Sequence, residues 1–281
     1  SDLLLVLGAR LGEMPTSGYK HLRIPNPVQP MIHVHPDPNE LGKVYRPESA
    51  INATPKSLLN KLAKKRPGKI NWTAWTEQGR SNYEAWSTPQ ETPGAVKLEE
   101  VVRHLRDTLP ENAIITNGAG NYAGWLNRYF RFPVYGSHLA PTSGSMGYGL
   151  PAAIAAKLER PEAPVICFAG DGCFQMTNQE FGTAIQYGAN VIVIICNNSQ
   201  YGTIRMHQEK TYPGRVSGTQ IVNPDFAALA KAYGGYGELV EKTSDFPDAF
   251  NRARESGKPA ILELTMSPEA ISPAATLSDL G

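Results

Sequence analysis

Three cysteines, no charge excess and no long apolar run mark this 281-residue sequence, and each shortage removes a class of protein. Cys167, Cys173 and Cys196 are an odd number without metal-ligand spacing, which argues against a disulfide scaffold or a zinc site. Free thiols in a reducing cytosol are the expectation, and with them a cytoplasmic protein. Lys and Arg number 27 against 26 Asp and Glu, a formal net charge of +1, so no basic field invites nucleic acid or an anionic membrane. The longest aliphatic runs, Leu3–Leu7 and Val191–Ile195, are too short to span a bilayer, and no signal peptide or lipidation motif is present. A phosphate loop of the form Gly-x-x-x-x-Gly-Lys-Ser/Thr is missing. Gly118-Ala119-Gly120 follows a strand signal, yet Ala123 stands where a dinucleotide fingerprint needs glycine, and no ribose-binding acid is evident. What is present is 41% hydrophobic and 19% charged residues, enough apolar material for an ordinary globular core.

The front of the chain alternates strand and helix signals. Leu3–Leu7 reads as a buried strand, Met31–His35 as a second and Ser49–Asn52 as a third. A helix is expected from Pro55 to about Lys65, with Leu58, Leu59 and Leu62 on one face. This stretch, 1–66, is at best half of an open α/β sheet, and its abrupt start in a strand suggests a truncated chain or a proteolytic fragment. Residues 67–95 read as a connector in which Trp72 and Trp75, at helical spacing, lie on a helix packed between domains. From 96 to 281 the alternation is regular. Leu98, Val101, Val102 and Leu105 mark an amphipathic helix stopped by Pro110. Strands are expected at Ala113–Thr116, Val165–Ala169, Val191–Cys196, Glu238–Val240 and Ile261–Thr265. Helices are expected around Trp125, over Pro151–Leu158 and 178–187, from Pro224 to Tyr233 with Asn223 as N-cap, and near Phe250. Solidly apolar strands separated by helices predict an α/β fold, a parallel sheet with helices on both faces.

The chemistry concentrates in Val165–Gly202. A strand runs into Gly170-Asp171-Gly172, and a capping box of Thr177 and Glu180 starts the following helix. Gly188 ends that helix, and the next strand runs into Asn197-Asn198. Asp171 and Asn198 therefore stand at the carboxyl edge of neighbouring parallel strands, where open α/β sheets bind ligands. A carboxylate and an amide carbonyl are hard oxygen donors that suit Mg²⁺, which keeps coordination positions for phosphate oxygens and water. The glycines beside Asp171 let backbone N–H groups approach an anion.

Gly170-Asp171-Gly172 through Asn197-Asn198 resembles the thiamine-diphosphate signature in spacing and residue type. Thr142-Ser143-Gly144-Ser145-Met146-Gly147-Tyr148-Gly149 is similar to the segment that grips the aminopyrimidine, and Leu5-Val6-Leu7-Gly8-Ala9-Arg10 looks like the later part of the family's Rossmann-like central domain. The likeness is to the acetolactate synthase and 2-oxo-acid decarboxylase branch. It implies that Asp171 and Asn198 bind Mg²⁺ by side chain and Gln200 by its carbonyl. Gly172 and Cys173 would offer N–H groups to the diphosphate, with Gly120 and Asn121 touching it from the other side, and Gly170, Gly202 and Thr203 would also be cofactor-binding. The Gly144 carbonyl would accept from the 4′-amino group, and Met146 would wedge between the cofactor rings.

The resemblance further implies decarboxylation of a 2-oxo acid, with the acyl carbanion released or ligated. The activating glutamate of the family lies in a separate pyrimidine-binding domain that this sequence does not contain, so the chain alone is expected to be inactive. Self-association as a homodimer or tetramer is implied, and flavin (FAD) binding is left open. A non-catalytic cofactor-binding fragment is the second reading. His207 stands where acetolactate synthases carry tryptophan and is either catalytic or a solvated loop histidine. Gln208–Ile221 is either a lid or a mobile loop. His33 and His35 share one strand face, and a structural role is expected for both.

Overall fold

A computed structural model of the chain describes residues 1–66 and 68–280. Pro67 and Gly281, which bound the expected connector and C-terminal segment, lie outside them. The chain divides into two compact units, Ser1–Glu77 and Gln78–Gly281.

In the first unit, β1 (Leu4–Leu7), β2 (Met31–His35) and β3 (Ser49–Asn52) form a parallel sheet in that order. Only β2 has neighbours on both sides, and it alone is largely buried. β1 is an edge strand with Leu5 46% exposed, so the buried strand expected there is corrected to a half-covered edge. Helix α1 (Pro55–Leu62) is capped by the Thr54 hydroxyl, which accepts from Ser57 N. Its apolar face is not buried: Leu59 and Leu62 are both exposed. His33 bonds the Ala9 carbonyl at 2.8 Å and His35 Nδ1 accepts from Asp37 N at 3.1 Å, the structural roles expected. Helix α2 (Thr73–Trp86) crosses the boundary between the two units; Trp75 lies on it and Trp72 just before it.

The second unit continues with α3 (Leu98–Thr108), β4 (Ile114–Asn117), α4 (Ala123–Tyr129), β5 (His138–Leu139), α5 (Gly149–Glu159), β6 (Val165–Gly170) and α6 (Asp171–Gln175). It is completed by α7 (Glu180–Tyr187), β7 (Ile192–Asn197), α8 (Gly202–Thr211), α9 (Phe226–Ala232), β8 (Tyr236–Val240), α10 (Phe246–Glu255) and β9 (Ala260–Thr265). The six strands are all parallel, in the order β5-β4-β6-β7-β9-β8.

Alternation along the strands builds one core on each face. Ile166 and Phe168 of β6 join Ile192, Ile194 and Cys196 on the side covered by α3, α4 and α10. Val165, Cys167 and Ala169 join Val191, Val193 and Ile195 on the side covered by α5, α7 and α9. Both faces are buried, which explains why these strands read as unbroken apolar runs. Strand β4 leads outward to β5, whereas β6 leads the other way to β7. The crevice between the ends of β4 and β6 is therefore a switch point of the topology, the place where such sheets accept ligands.

Two helix starts differ from expectation. The Thr177 hydroxyl donates to the Gly147 carbonyl at 2.8 Å instead of capping, and Glu180 accepts from Thr183, so no capping box forms and α7 begins at Glu180. Asp225, not Asn223, caps α9, its carboxylate accepting from Ala228 N at 2.7 Å. Gly188 closes α7 with φ +62°, the left-handed cap expected.

Candidate functional site

A cavity of about 510 Å³ opens at the carboxyl edge of the sheet, over the switch point. Four segments wall it. The bend after β4 brings Ala119, Gly120, Asn121 and Tyr122. The Gly-rich segment before α5 brings Gly144 and Met146, the end of β6 brings Gly170, Asp171, Gly172 and Cys173, and the end of β7 brings Asn198 through Ile204 apart from Ser199. Every residue singled out in the sequence for the cofactor or metal thus lines this one cavity. His207 does not; it is exposed on α8, beyond Ile204, which does.

Each wall is held by its own local chemistry. Helix α6, a turn and a half that the sequence pattern did not signal, begins at Asp171 itself, so the amides of its first turn have no intrahelical acceptor. Gly172 N donates to Asp171 Oδ1 at 2.8 Å, and Cys173 Sγ donates to the Ala119 carbonyl at 2.8 Å, tying α6 to the bend after β4. A Cβ at Gly172 would lie 2.8 Å from the Tyr201 ring, so glycine is needed for that close approach. Gly144 and Gly147 take positive φ, +69° and +80°, and the Thr177–Gly147 bond fixes the segment that carries Met146. Ser199, with φ +55°, makes the sharp turn from Asn198 to Gln200. There Asn198 Oδ1 accepts from Gln200 N at 3.3 Å, and the Gln200 carbonyl accepts from Gly202 N at 2.9 Å.

The segment Gln208–Ile221 is part helix and part hydrogen-bonded loop. Its start is the last turn of α8, and the rest is pinned by Gln208 Nε2 to the Ser217 carbonyl (2.6 Å), Gly214 N to Glu209 (3.1 Å) and Tyr201 N to the Thr219 carbonyl (2.8 Å). A buried Arg205–Glu209 ion pair at 2.5 Å stiffens α8 beneath it.

The cavity wall holds one buried carboxyl, that of Asp171. Asp171 is 3% exposed, and burial pushes its carboxyl above the usual range, while the hydrogen bonds from Asn223 and Gly172 oppose that shift. A carboxylate buried this way gains from a cation beside it. Among the described residues, no group of three His, Cys, Asp or Glu side chains forms a metal cage. The donor set here is one carboxylate, one amide and a backbone carbonyl, which matches an ion that takes its remaining ligands from phosphate and water.

Tyr122, missed in the sequence, also lines the cavity, its ring packed over Gly120 and Gly170. Burial and the neighbouring Cys173 push its phenol well above the ordinary value, so it stays protonated, with its Oη buried beside that thiol. Two thiols are kept protonated by burial, which raises Cys167 to about 12 and Cys196 well above its usual value.

Comparison with known proteins decides the family. The sequence profile of the C-terminal thiamine pyrophosphate binding domain of thiamine pyrophosphate enzymes matches residues 118–264, the span that carries nearly the whole cavity. The chain belongs to the thiamine pyrophosphate enzymes. The profile of their central domain matches residues 1–62, in the first unit. Similar curated relatives include the acetolactate synthase of Mycobacterium leprae, 32% identical over 96% of this chain and 45% of that protein. The acetolactate synthase isozyme 2 large subunit of Escherichia coli is 28% identical over 94% of this chain and 48% of its own length. The mitochondrial catalytic subunit of acetolactate synthase from Saccharomyces cerevisiae is 29% identical over 94% of this chain and 40% of its own. The chain thus spans about half the length of these relatives. The match to the thiamine pyrophosphate binding domain falls within the second unit. Among the described residues, no helix is long and apolar enough to cross a membrane.

Proposed function

We propose that this chain is the diphosphate-anchoring portion of a thiamine-diphosphate- and Mg²⁺-dependent enzyme that decarboxylates a 2-oxo acid and releases or ligates the acyl carbanion, as an acetolactate synthase does. The observation that carries this reading is the convergence of four separate segments on one cavity at the switch point, with a buried carboxylate in its wall.

In this reading, Asp171 and Asn198 hold Mg²⁺ by their side chains and Gln200 by its carbonyl. The amide of Cys173 donates to the diphosphate, while Gly120 and Asn121 close against it. The Gly144 carbonyl accepts from the aminopyrimidine, and Met146, 36% exposed in the cavity wall, sets the angle between the rings. The cofactor, when bound, supplies the electron sink for loss of CO₂. The protein supplies orientation and an apolar chamber, which Leu98, Trp125, Met266 and Ile271 extend inward from the ion site. The acid that activates the pyrimidine is supplied by a pyrimidine-binding domain outside these residues, and the working enzyme is a cytoplasmic homodimer or tetramer. The chain by itself then binds cofactor without turning over substrate.

Calorimetric titration of thiamine diphosphate, with and without Mg²⁺, tests this reading against Asp171→Ala. Mg²⁺-dependent binding that the substitution abolishes is expected. Equal binding by both proteins, or decarboxylation of a 2-oxo acid by the purified chain, would overturn it.

A further inference from the structure

Beneath the proposed ion site lies a directed chain of side-chain hydrogen bonds that the sequence did not suggest. Asn223, just before α9, donates from Nδ2 to Asp171 Oδ2 at 2.8 Å and to Asn197 Oδ1 at 2.8 Å. Its Oδ1 accepts from Gln175 Nε2 at 2.6 Å. Asn197 Nδ2 donates to Glu263 Oε1 at 2.7 Å, and Glu263 Oε2 accepts from Phe226 N at 3.0 Å. Asn197 Oδ1 also accepts from Ser199 N at 3.1 Å, which holds the left-handed turn that presents Asn198 and Gln200.

The polarity of this chain is fixed from one end. Glu263, buried on β9, takes hydrogen bonds from the Phe226 backbone and Asn197, so the Asn197 amide must turn its NH₂ toward β9 and its oxygen toward Asn223. Asn223 must then turn its NH₂ toward both oxygens, and its own oxygen toward Gln175. Flipping any of these amides would set donor against donor or acceptor against acceptor. Such a fully paired network specifies one geometry, and groups behind a metal's direct ligands orient them.

We propose that Asn223 is a positioning residue for the metal site: it locks the Asp171 carboxylate by Oδ2 and, through Asn197, joins it to the Ser199 turn that carries Asn198 and Gln200. The two halves of the ion site, past the ends of separate strands, are thereby set relative to each other before any ion arrives. This rests on the reading of Asp171, Asn198 and Gln200 as metal ligands. It assigns a purpose to a residue that contributes no atom to the cavity wall.

The test is calorimetric titration of thiamine diphosphate in Mn²⁺ and in chelator, with wild type, Asp171→Ala, Asn223→Ala, Asn223→Asp and Glu263→Gln, each checked by circular dichroism. Asn223→Ala is expected to lower the Mn²⁺-dependent affinity by about 10- to 100-fold. Binding in chelator should stay at the wild-type level. Asn223→Asp, equal in size but with an acceptor facing two acceptors, should be at least as damaging. Glu263→Gln, on β9, removes the polarity at its source and should weaken metal-dependent binding in the same direction, which carries the test if Asn223→Ala misfolds. Wild-type Mn²⁺-dependent affinity in the folded Asn223 and Glu263 variants would overturn the proposal alone, as would an equal loss with and without metal. A wild type whose affinity gains nothing from Mn²⁺, like Asp171→Ala, would bring down the metal reading and this proposal with it.

Discussion

Thr203 and Asn121 are bonded to each other twice across 82 positions: the Thr203 hydroxyl donates to Asn121 Oδ1 at 3.0 Å and accepts from Asn121 N at 3.1 Å. The bend after β4 and the first turn of α8 are therefore one wall, and Asn121 Nδ2 extends the tie to the Ile271 carbonyl at 2.9 Å. Thr203→Val keeps the shape and removes both bonds. It is expected to cost about 1–2 kcal/mol in urea unfolding and to weaken thiamine diphosphate binding in calorimetry. Unchanged affinity would show that the tie does not shape the site.

Gly172→Ala introduces a Cβ 2.8 Å from the Tyr201 ring and 3.2 Å from Ile221 Cδ1. Tyr201 cannot retreat as a whole, because its N–H is held by the Thr219 carbonyl. The ring must swing toward the cavity or α6 must shift, with a stability loss of about 1–3 kcal/mol. Thiamine diphosphate binding should fall with it, and calorimetry reporting wild-type affinity would contradict this account.

Gly237→Ala acts far from the cavity. A Cβ there would lie 2.0 Å from the Ala227 carbonyl oxygen, where α9 packs on β8 with backbone against backbone. No side chain can yield, so a loss of about 3 kcal/mol or more is expected. A urea midpoint equal to that of wild type would refute the packing described.

Acidification should destabilise the chain through two histidines. Burial lowers His104, whose ring meets Phe246 and Phe250 edge-on, with nearby Asp107 opposing weakly. Burial also lowers His138, stacked on Phe132 and bonded to Asn117 Oδ1 at 2.6 Å. In each case the folded value lies below the unfolded value of about 6.5, so the folded state binds fewer protons. Stability is then full above that value and falls as pH drops from it toward the folded values. Urea midpoints at pH 7.5 and 5.5 should differ less in a His104→Leu, His138→Gln double variant than in wild type. An identical fall in both would remove these residues as the cause.

Much of this was legible because apolar runs buried on both faces leave few alternatives. Val165–Ala169 and Val191–Cys196 could only be central parallel strands, and that placed Asp171 and Asn198 at one edge. Polar side chains with distant partners were not legible. Thr177 and Glu180 have the spacing of a capping box, but the Gly147 carbonyl, 30 residues away, claims the hydroxyl. Asn223 sits where a cap belongs, yet its amide goes to Asp171, 52 residues away, and Asp225 caps instead. Tyr122 hid in a Gly-rich bend, where only the packing of its ring over Gly120 and Gly170 reveals it. The apolar faces of β1 and α1 misled in the opposite direction, since periodicity predicts a face but not what covers it.

The uniformly parallel six-stranded sheet has a kinetic consequence. No strand pair in it is closed by a hairpin, so every pairing must wait for a crossover to form, and loop-closure entropy is spent before contacts return it. The cavity walls stand on β4, β6 and β7 and meet only once those strands are in order. Cofactor therefore arrives too late to guide the chain to its fold. Its effect on lifetime should be to slow unfolding while leaving the refolding rate untouched.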